Sequence, residues 1–550
     1  MEAHHATVFE AIADAIPDAP ALAQGDRLLT YRDVDVRASR ISAALADAGL
    51  GVQARVAIDL FNCNEWLESL YACLKGRFVP VSINYRYLDD ELAYLFENSD
   101  SEALIFHASL GERVVRVARR LPNIKVLIQV DDVGGAELPE GVLDYDTVAT
   151  AYRQAERISR SPDDIVMWYS GGTTGMPKGV LIPVGRSAES SMTREMRLRT
   201  LGRFFDSPDT IPLDVVEGAK LFHEQGVAPV SVPAAPLMHS TAVSYSGPAI
   251  HYCGGMVVTL ENHSFDAHEL FRTVERRKVT TITIVGDAFA KPMVRALEEQ
   301  AATGRPYDAS SIRTILSAGI QWSAEVKDKM FEYMPQVILC DNCGSSEGAW
   351  YGTSILRKGD PTSTSAFTLA PGVLLLDEDG NPMTGPSDKP GLLASPTSTT
   401  GYHKDPEKTQ QNFRMINGAW YTTPGDLGML TEDGKVILIG RGTSVINTGG
   451  EKVYPEEVDD VIKQLPEVDD CLVVGTPDER FGQQVTAVIQ VRPGAEVTLE
   501  QVREHVRSRL AHYKAPRAVV VVPKVPRFPN GKPDYPTTKE LAEKALANQS

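Results

Sequence analysis

Cysteine is scarce in this sequence of 550 residues, which contains only Cys63, Cys73, Cys253, Cys340, Cys343 and Cys471. Six thiols in so long a chain are not the disulfide framework of a small secreted protein, and a reducing cytoplasm is the expected location. No apolar run reaches the roughly 18 residues of a membrane-spanning helix, and the N-terminus lacks the basic and apolar regions of a signal peptide. We therefore expect a cytoplasmic protein with no integral membrane segment.

Positive charge is also in short supply. The 55 Lys and Arg residues are outnumbered by 73 Asp and Glu residues, giving a formal net charge of −18. Proteins that bind nucleic acid hold the phosphate backbone with clustered Lys and Arg, so this balance argues against a nucleic-acid partner. A small anion such as ATP is still compatible, because backbone N–H groups and a few local cations suffice to bind it.

Apolar runs typical of strands alternate with helical periodicity along most of the chain, which predicts layered α/β structure. Helices are predicted over 31–48, 89–98, 288–302, 324–334, 456–464 and 499–510, and strands over 56–60, 103–106, 165–169, 281–285, 314–317, 337–340, 471–474, 486–491 and 518–522. The sequence pattern changes at residues 440–444, Gly-Arg-Gly-Thr-Ser, a stretch expected to be flexible. We expect a large N-terminal domain of layered α/β subdomains over 1–440, a hinge over 441–446, and a small mobile α+β domain over 447–550.

The sharpest local signal is the glycine- and hydroxyl-rich stretch 169–179, Tyr-Ser-Gly-Gly-Thr-Thr-Gly-Met-Pro-Lys-Gly, which lies between two predicted strands. Glycines let the backbone approach an anion, and successive N–H groups can form a concave nest. The spacing is not that of the common P-loop, since Lys178 is followed by glycine and then by a strand. The alternative by composition alone is an ordinary turn in a hairpin.

A second motif, Gly344-Ser345-Ser346-Glu347-Gly348, fits the G-x-S-x-G pattern of a hydrolase nucleophile elbow with Ser346 as nucleophile. Such an elbow requires a strand entering the turn directly, yet three residues separate Gly344 from the predicted strand. The histidines that follow have no evident partner, so the hydrolase is a minor alternative. The nearby Cys340 and Cys343 lack a second pair at zinc-like spacing, which favours two buried thiols over a structural metal.

In combination and in this order, these motifs resemble the adenylate-forming superfamily, which includes acyl-CoA synthetases, adenylation domains and firefly-type luciferases. The resemblance extends over roughly residues 8–540. It implies that the loop from Ser170 to Lys178 orients the β- and γ-phosphates of ATP, that Ser346 contacts the α-phosphate and that Glu347 binds Mg²⁺. The residues that it implies for nucleotide binding are Ser170, Gly171, Gly172, Thr173, Thr174, Gly175, Lys178, Ser317, Ala318, Gly319, Asp341, Asn342, Cys343, Gly344, Ser345, Asp426, Ile439, Arg441 and Lys452.

The same resemblance implies further roles. Lys532, in a loop Phe528-Pro529-Asn530-Gly531-Lys532, would be the catalytic lysine, acting with Glu347 and Ser346. His239, in Pro236-Leu237-Met238-His239, would line an acyl pocket together with Tyr245, Asp287, Ile320 and Trp322. Gly449, Gly450 and Glu451 would meet coenzyme A after the small domain rotates about Arg441–Ser444. Outside the resemblance, a lone His, a surface Lys and an Asp in a turn are most often structural or solvated residues.

The chain departs from the family pattern at four positions. Cys343 replaces the aromatic residue that usually stacks on adenine, and Ser346 replaces a threonine while keeping its hydroxyl. Pro424 stands where a threonine hydroxyl usually lies near the ribose. Ser444 occupies the place of the usual hinge Asp or Lys, which leaves the energetics of domain rotation open.

The implied activity is a two-step ligation in which a carboxylic acid reacts with ATP to give acyl-AMP and pyrophosphate, and coenzyme A then takes the acyl group. The segments around Val285 and Gly449 resemble the bacterial fatty-acid and steroid-side-chain branch, so a medium-chain, long-chain or polycyclic hydrophobic acid is expected. The main alternative is a free-standing adenylation enzyme that loads the phosphopantetheine of a carrier protein. A non-catalytic nucleotide-binding protein and a luciferase-like oxidation are further alternatives, and a homodimer is a candidate assembly.

Overall fold

A computed structural model describes residues 1–132, 134–170, 177–319, 322–364, 366–387, 389–441, 446–448, 451–478, 482–510, 512–528 and 531–547. The predictions for Gly171, Gly172, Thr173, Thr174, Gly175, Ile320, Ser444, Gly449 and Gly450 lie outside these residues, as do those for the side chains of Ser170, Arg441, Glu451 and Lys452. All other predicted site residues can be placed.

The helices, in chain order, are α1 (His5–Ala15), α2 (Tyr31–Asp47), α3 (Asn64–Lys75), α4 (Asp89–Asn98), α5 (Gly111–Ala118), α6 (Tyr145–Ala151), α7 (Val184–Met192), α8 (Arg194–Thr200), α9 (Val215–Glu224), α10 (Ser240–Ser246), α11 (Pro248–His251), α12 (Ala267–Arg277), α13 (Gly286–Ala302), α14 (Ala324–Tyr333), α15 (Pro406–Asn412), α16 (Pro455–Ile462), α17 (Leu499–Arg507) and α18 (Tyr535–Ala547). Short 3-10 turns lie at Ala108–Leu110, Pro208–Thr210 and His512–Lys514.

The strands are β1 (Pro20–Gln24), β2 (Arg27–Thr30), β3 (Arg55–Asp59), β4 (Val79–Ser82), β5 (Ser101–His107), β6 (Val126–Val130), β7 (Leu143–Asp144), β8 (Ile165–Ser170), β9 (Lys178–Pro183), β10 (Val230–Pro233), β11 (Met256–Thr259), β12 (Thr281–Ile284), β13 (Thr314–Ala318), β14 (Ile338–Gly344), β15 (Trp350–Leu356), β16 (Ala366–Leu369), β17 (Leu374–Leu376), β18 (Gly391–Pro396), β19 (Gly401–Tyr402), β20 (Phe413–Ile416), β21 (Ala419–Thr422), β22 (Asp426–Leu430), β23 (Lys435–Arg441), β24 (Ile446–Thr448), β25 (Glu451–Val453), β26 (Val468–Asp478), β27 (Gly482–Val491) and β28 (Ala518–Val521).

These strands form three sheets. A 15-stranded sheet runs β2-β1-β11-β10-β12-β13-β14-β15-β16-β23-β22-β18-β21-β20, with β17 beside β18. An 8-stranded sheet runs β19-β9-β8-β4-β3-β5-β6-β7, and a 5-stranded sheet runs β25-β24-β27-β26 with β28 beside β27. The first two sheets build a large N-terminal α/β domain and the third a small C-terminal α+β domain, so the predicted fold class is confirmed.

Most predicted elements are present with shifts of a few residues at their ends. Helix α2 begins as predicted after Thr30, whose hydroxyl accepts a hydrogen bond from the backbone N–H of Asp33, while the Asp33 carboxylate accepts one from the Thr30 N–H. This capping box satisfies N–H groups that a helix start leaves unpaired, which is why the sequence signal was reliable. Strands β26 and β27 are longer than predicted because they pair with each other from Val468–Val491 to Asp478–Gly482.

The largest hydrophobic core lies where α1, α2 and α3 pack between the two large sheets. Tyr31, Trp66 and Tyr71 are completely buried there, and the rings of Trp66 and Trp168 stack 6.2 Å apart. All six cysteines are buried free thiols, as expected. Within the described part of the chain, every helix is too short or too polar to cross a bilayer.

A buried ionic cluster ties the N-terminal helix to the segment that leads into β8. The Glu10 carboxylate accepts hydrogen bonds from Arg160 at 2.8 and 2.9 Å and from the Lys75 ammonium at 2.6 Å. Burial by itself would raise the pKa of Glu10, but the Arg160 and Lys75 partners bring it below its ordinary value. Removal of one partner from such a cluster leaves buried charge without compensation.

The Glu10→Gln variant is expected to lose about 3 kcal/mol of unfolding free energy at pH 7, the scale for breaking a buried ion pair. Because folding lowers the pKa of Glu10, its stabilising contribution is complete above the unfolded pKa and disappears as pH falls through the folded value. The difference from wild type should therefore shrink below about pH 4. Urea unfolding at several pH values measures it, with exposed Glu112→Gln as the matched control; equal midpoints for all three proteins would contradict the expectation.

Candidate active site

The glycine- and hydroxyl-rich stretch of residues 169–179 connects two strands as predicted. Strands β8 and β9 are antiparallel and pair from Ile165–Pro183 to Ser170–Lys178, so the stretch closes a hairpin. The hydroxyl of Tyr94 donates a hydrogen bond to the carbonyl of Pro177 at 3.0 Å. The Lys178 ammonium contacts Asp405, and this contact lowers the pKa of the Asp405 carboxyl.

Glu347 lies close to this hairpin although it follows a strand of the other large sheet. Short strand β19 pairs with β9 through Gly401–Leu181 and Tyr402–Val180. The hydroxyl of Tyr402 then donates to Oε1 of Glu347 at 2.9 Å and accepts from the Asn412 amide at 2.9 Å. Tyr402 thus connects the β8–β9 hairpin to the turn that contains Glu347.

The second carboxylate oxygen of Glu347 is the best candidate for a metal ligand. Glu347 is only 7% exposed, and its Oε2 atom is buried without a hydrogen-bond partner among the described residues. An unpaired buried carboxylate oxygen is costly unless a cation or a donor meets it. Hard oxygen ligands of this kind are those that Mg²⁺ prefers, so the residues fit the predicted ion.

The backbone behind Glu347 requires glycine at position 348. Gly348 has φ +78°, and a Cβ atom there would lie 2.4 Å from the Thr399 hydroxyl and 2.8 Å from the Thr397 hydroxyl. Any other residue would clash with these two hydroxyls, which belong to the loop after β18, and would hold a strained left-handed backbone. The tight turn therefore fixes the direction in which Glu347 points.

One argument against the hydrolase alternative used a strand end that the structure shows to be wrong. Strand β14 extends to Gly344, so a strand does enter the G-x-S-x-G turn directly. The turn is followed by β15, which pairs antiparallel with β14, whereas a nucleophile elbow leads into a helix. Among the described residues no histidine hydrogen bonds to Ser346, so the elements that a nucleophile elbow needs are missing.

The segments predicted to surround adenine and ribose lie side by side. Parallel strands β13 and β14 pair Ser317 with Asp341 and Ala318 with Asn342, which brings the two carboxyl ends to one edge of the sheet. Cys343 is buried on β14, and burial together with the charges of Asp426 and Asp341 raises its thiol pKa. The sheet thus brings Asp426 close to the predicted adenine segment.

Asp426 and Asp341 each accept a hydrogen bond from a residue that the sequence did not predict for the site. The buried Tyr351 hydroxyl donates to Asp426 at 2.9 Å, and burial raises the tyrosine pKa so that it remains a donor. The Lys327 ammonium donates to Asp341 at 2.8 Å. Burial raises the pKa of Asp341 to about 6, and Lys327 opposes the rise. No motif marks Tyr351, Lys327 or Tyr402, because each acts through a partner distant in sequence.

Three residues predicted to line the acyl pocket, His239, Asp287 and Trp322, have different contacts in the structure. His239 precedes α10, and its Nε2 atom is buried without a hydrogen-bond partner among the described residues. Asp287 is not a free carboxylate, because its Oδ1 atom accepts the backbone N–H of Ser323 at 2.9 Å. Trp322 is 0% exposed and lies in the core beside the Lys327 ammonium, so it has no surface facing an open pocket. Ile439 is likewise buried in β23, at 2% exposure.

The loop that carries Lys532 is anchored within the small domain. The backbone N–H of Phe528 donates to the Lys532 carbonyl at 2.9 Å, which closes a turn. Arg527 at its base binds Asp470 of β26 through bonds of 2.6 and 2.8 Å. The neighbouring Asp469 accepts from Lys291 of α13 at 2.8 Å through its carbonyl and lies 3.5 Å from Arg295. The dipeptide Asp469-Asp470 thus joins the lysine turn to the large domain.

In this orientation the charge of Lys532 acts on His239 of the large domain. Burial, with smaller contributions from the Lys532 and Arg86 charges, lowers the pKa of His239 to about 4. An ammonium can act on the imidazole in this way only at short range. The Lys532 charge therefore contributes to the electrostatic environment of His239.

Acidic residues of α16 face acidic residues of the large domain across the same boundary. Burial, with a smaller contribution from the Asp426 charge, raises the pKa of Glu456 to about 7. Burial also raises the pKa of Asp460 to about 7, where Lys463 opposes and Asp287 reinforces the shift. Carboxylates of α16 and of the large domain therefore repel each other where the two domains meet.

A second cluster, His107, Asp132 and His263, has ligand atoms close enough for a metal ion, within 4.8 Å of one another. The geometry favours a hydrogen-bonded junction. The Ser109 N–H donates to Nδ1 of His107 at 3.1 Å, so Nε2 carries the ring proton and donates to Asp132 at 2.8 Å. A metal on Nε2 would require the opposite tautomer. The cluster joins the ends of β5, β6 and β11.

Comparison with known proteins gives two family matches. Residues 9–403 match "AMP-binding enzyme" and residues 457–532 match "AMP-binding enzyme C-terminal domain". The chain is 37% identical to the 3-oxocholest-4-en-26-oate–CoA ligase of Rhodococcus rhodochrous over 98% of this chain and 96% of that enzyme. It is 36% identical to the medium-chain acyl-CoA ligase Mig of Mycobacterium avium over 97% of each chain.

Solved structures share the fold at lower identity. The anthranilate–CoA ligase AuaEII in complex with anthranoyl-AMP superposes with a TM-score of 0.83 at 22% identity, covering 100% of both chains. ATP-bound MatB from Rhodopseudomonas palustris gives a TM-score of 0.81 at 22% identity, covering 99% of this chain and 100% of that chain.

His239 is expected to stay neutral from pH 8 down to about pH 5, since its pKa is near 4. The Lys532→Ala variant should raise that pKa, because a nearby positive charge that disfavours imidazolium is removed. Ring ¹³C shifts of histidine-labelled protein, assigned with His239→Gln, measure both effects. Lys544→Ala, on the exposed face of α18, is the matched control; identical His239 titrations in the Lys532→Ala and control proteins would show that Lys532 does not approach this ring.

Proposed function

This chain belongs to the AMP-binding enzyme family, and we propose that it is an ATP-dependent acyl-CoA ligase that activates a hydrophobic carboxylic acid as its acyl-adenylate. Full-length relatives named as CoA ligases for fatty and steroid acids support this activity and this class of acid. The observation that carries the proposal is the docking of the Lys532 turn on the large domain, in which Arg527 at the base of the turn binds Asp470 and the adjoining Asp469 carbonyl accepts a hydrogen bond from Lys291 of α13.

The first half-reaction needs positive charge between two anions. The acid's carboxylate oxygen attacks the α-phosphorus of ATP, a P–O bond forms, and the bond to pyrophosphate breaks. Lys532 is the group proposed to bridge the carboxylate and the α-phosphate, where it would offset charge in the transition state and orient the attack. His239, neutral at pH 7 with a pKa of about 4, adds no positive charge that would compete with this lysine.

The large domain supplies the remaining contacts. Lys178 and the Ser170–Gly175 loop are proposed to hold the leaving pyrophosphate, and Asp426 the ribose hydroxyls. Glu347 would hold Mg²⁺, with its carboxylate fixed by Tyr402. When bound, the ion would neutralise phosphate charge. Ser346, half-buried in the turn before Glu347, is proposed to contact the α-phosphate.

The second half-reaction is proposed to follow a rotation of the small domain about residues 441–446. Strand β23 ends at Arg441 in the 15-stranded sheet and β24 begins at Ile446 in the 5-stranded sheet, so this short link joins two separately built sheets. Rotation would withdraw Lys532 and bring residues 449–452 to the adenylate, where the thiolate of coenzyme A attacks the carbonyl carbon and AMP leaves. A cytoplasmic location belongs to this proposal.

Coenzyme A and carrier-protein phosphopantetheine present the same thiol, so the acceptor must be tested. Pyrophosphate and AMP release are measured across a panel of acids, with and without coenzyme A. A ligase releases AMP in an amount that follows the added coenzyme A. Pyrophosphate release with AMP retained, unchanged by coenzyme A, would instead indicate a carrier-loading enzyme, and no pyrophosphate from any acid would exclude both.

Lys532→Ala is expected to slow pyrophosphate release by about 10²-fold or more, the scale for losing a charge contact made in the transition state. Thioester formation from supplied acyl-adenylate should be retained, because Lys532 is withdrawn in that step. Rapid-quench assays of the two half-reactions separate these effects, with Lys544→Ala as the control. An equal loss in both half-reactions would assign Lys532 another role.

Glu347→Gln is expected to raise the Mg²⁺ concentration for half-maximal pyrophosphate release by about tenfold or more. Tyr402→Phe should give a smaller increase, since it removes only the hydrogen bond that orients the carboxylate. Magnesium titrations at saturating ATP measure both, with exposed Glu407→Gln on α15 as the control. An unchanged magnesium requirement in Glu347→Gln would exclude this carboxylate as the ligand.

A further inference from the structure

The backbone that leads to His239 is held from both large sheets. Residues 233–239, here called the acyl segment, run from the last residue of β10 to the residue before α10. On the side of the 15-stranded sheet, the backbone N–H of Ala235 donates to the carbonyl of Thr283 in β12 at 2.9 Å. The course of this short backbone decides where the His239 side chain begins.

Asn62, in the loop after β3 of the 8-stranded sheet, makes three hydrogen bonds to the acyl segment. Its side-chain amide donates to the carbonyls of Pro233 and Ala235 at 2.8 and 2.9 Å. Its Oδ1 atom accepts the backbone N–H of Leu237 at 2.7 Å. A side-chain amide offers both donors and an acceptor, so this one residue satisfies backbone groups of both kinds. Aspartate would offer no donor to the two carbonyls, and leucine would satisfy none of the three groups.

Ser82, the last residue of β4, holds the next part of the acyl segment. Its hydroxyl donates to the carbonyl of Met238 at 2.5 Å, and both residues are buried. Strands β3 and β4 are parallel neighbours, so Asn62 and Ser82 come from the carboxyl edge of one sheet. Together they hold the acyl segment from Pro233 to Met238, the residue before His239.

The position of the His239 ring depends on this backbone. Its Nε2 atom is buried without a hydrogen-bond partner among the described residues, so that atom does not fix the ring. A misplacement of about 1 Å in a group that orients a substrate can slow the reaction about a hundredfold, even when the altered residue lies away from the reacting atoms.

The carboxylates proposed to bind magnesium and ribose are oriented by different residues. Glu347 accepts its hydrogen bond from Tyr402, and Asp426 accepts one from Tyr351. Asn62 bonds instead to the acyl segment. Loss of the Asn62 amide should therefore disturb the acid side of the site and spare the nucleotide side.

We propose that Asn62 is a positioning residue for the carboxylic acid, which fixes the backbone of the acyl segment and through it the place of His239, while ATP binding does not depend on it. This inference rests on the proposed ligase activity and on the proposed role of His239 in the acyl pocket. It makes the contact between the two large sheets part of the acid-binding site.

The test measures the acid and the nucleotide separately. Initial rates of pyrophosphate release are recorded at saturating coenzyme A, with dodecanoic acid varied at saturating ATP and with ATP varied at saturating acid. Asn62→Leu keeps the branched shape of the side chain and removes all three hydrogen bonds. It should lower kcat/KM for the acid by about tenfold to a hundredfold, chiefly through KM. The KM for ATP should stay within about twofold of wild type.

A second measurement does not depend on turnover. In the Asn62→Leu protein the ring ¹³C shifts of His239 should change, and its pKa should rise from about 4 toward the ordinary histidine value, because a displaced ring is less completely buried. The matched control is Asn262→Leu, since the Asn262 amide donates to Glu269 and not to the acyl segment. It should leave the kinetics and the His239 shifts unchanged.

The outcomes separate positioning from folding. Ser82→Ala, the variant to use if Asn62→Leu is unstable, removes one bond to the same segment and should raise KM for the acid by a smaller factor. A fall in kcat with both KM values and the His239 shifts unchanged would show a merely structural role, and an equal rise in both KM values would also overturn the proposal. Absence of pyrophosphate release from wild type would instead refute the ligase activity, and the His239 shifts would still show whether Asn62 positions the ring.

Discussion

The bidentate ion pair between Arg527 and Asp470 is the contact on which the arrangement of this molecule depends. It holds the base of the Lys532 turn on β26, while the adjoining Asp469 contacts α13 of the large domain. A lysine has a long and flexible side chain, so its reach is useful only when its backbone is fixed. Here Asp470 fixes the turn and the adjoining Asp469 docks it, which would let the remote Lys532 act within the large domain as proposed.

The rest of the candidate site arises where the two large sheets meet. The hairpin β8–β9 belongs to one sheet and Glu347 follows a strand of the other, and Tyr402 hydrogen bonds across the gap between them. Asp426 is similarly held by Tyr351 from a neighbouring strand. Because Glu347 and Asp426 are each oriented by a buried tyrosine, these two carboxylates are positioned before any substrate arrives, and binding energy need not be used to order them.

The sequence predicted those features that depend on local patterns. The Thr30 capping box, the alternation of strands and helices, and the strand on each side of the glycine-rich stretch all follow from residues close in the chain. It mislocated the end of β14, because Asp341, Asn342 and Cys343 are polar or small residues that become strand only by pairing with β13 and β15. Lys327, Tyr351 and Tyr402 could not be predicted, since their partners are fixed only when the sheets assemble. Trp322 was predicted to line a pocket and is instead enclosed in the core.

The acidic groups of α16 make the junction between the domains sensitive to protons. Burial raises the pKa values of Glu456 and Asp460 to about 7, and the charges of Asp426 and Asp287 contribute to these rises, so deprotonation of the two groups adds repulsion to the docked arrangement. Lys463 offsets part of the repulsion at Asp460. In the proposed catalytic cycle, alkaline conditions would therefore favour undocking, which would link the domain rotation to the acidity of its surroundings.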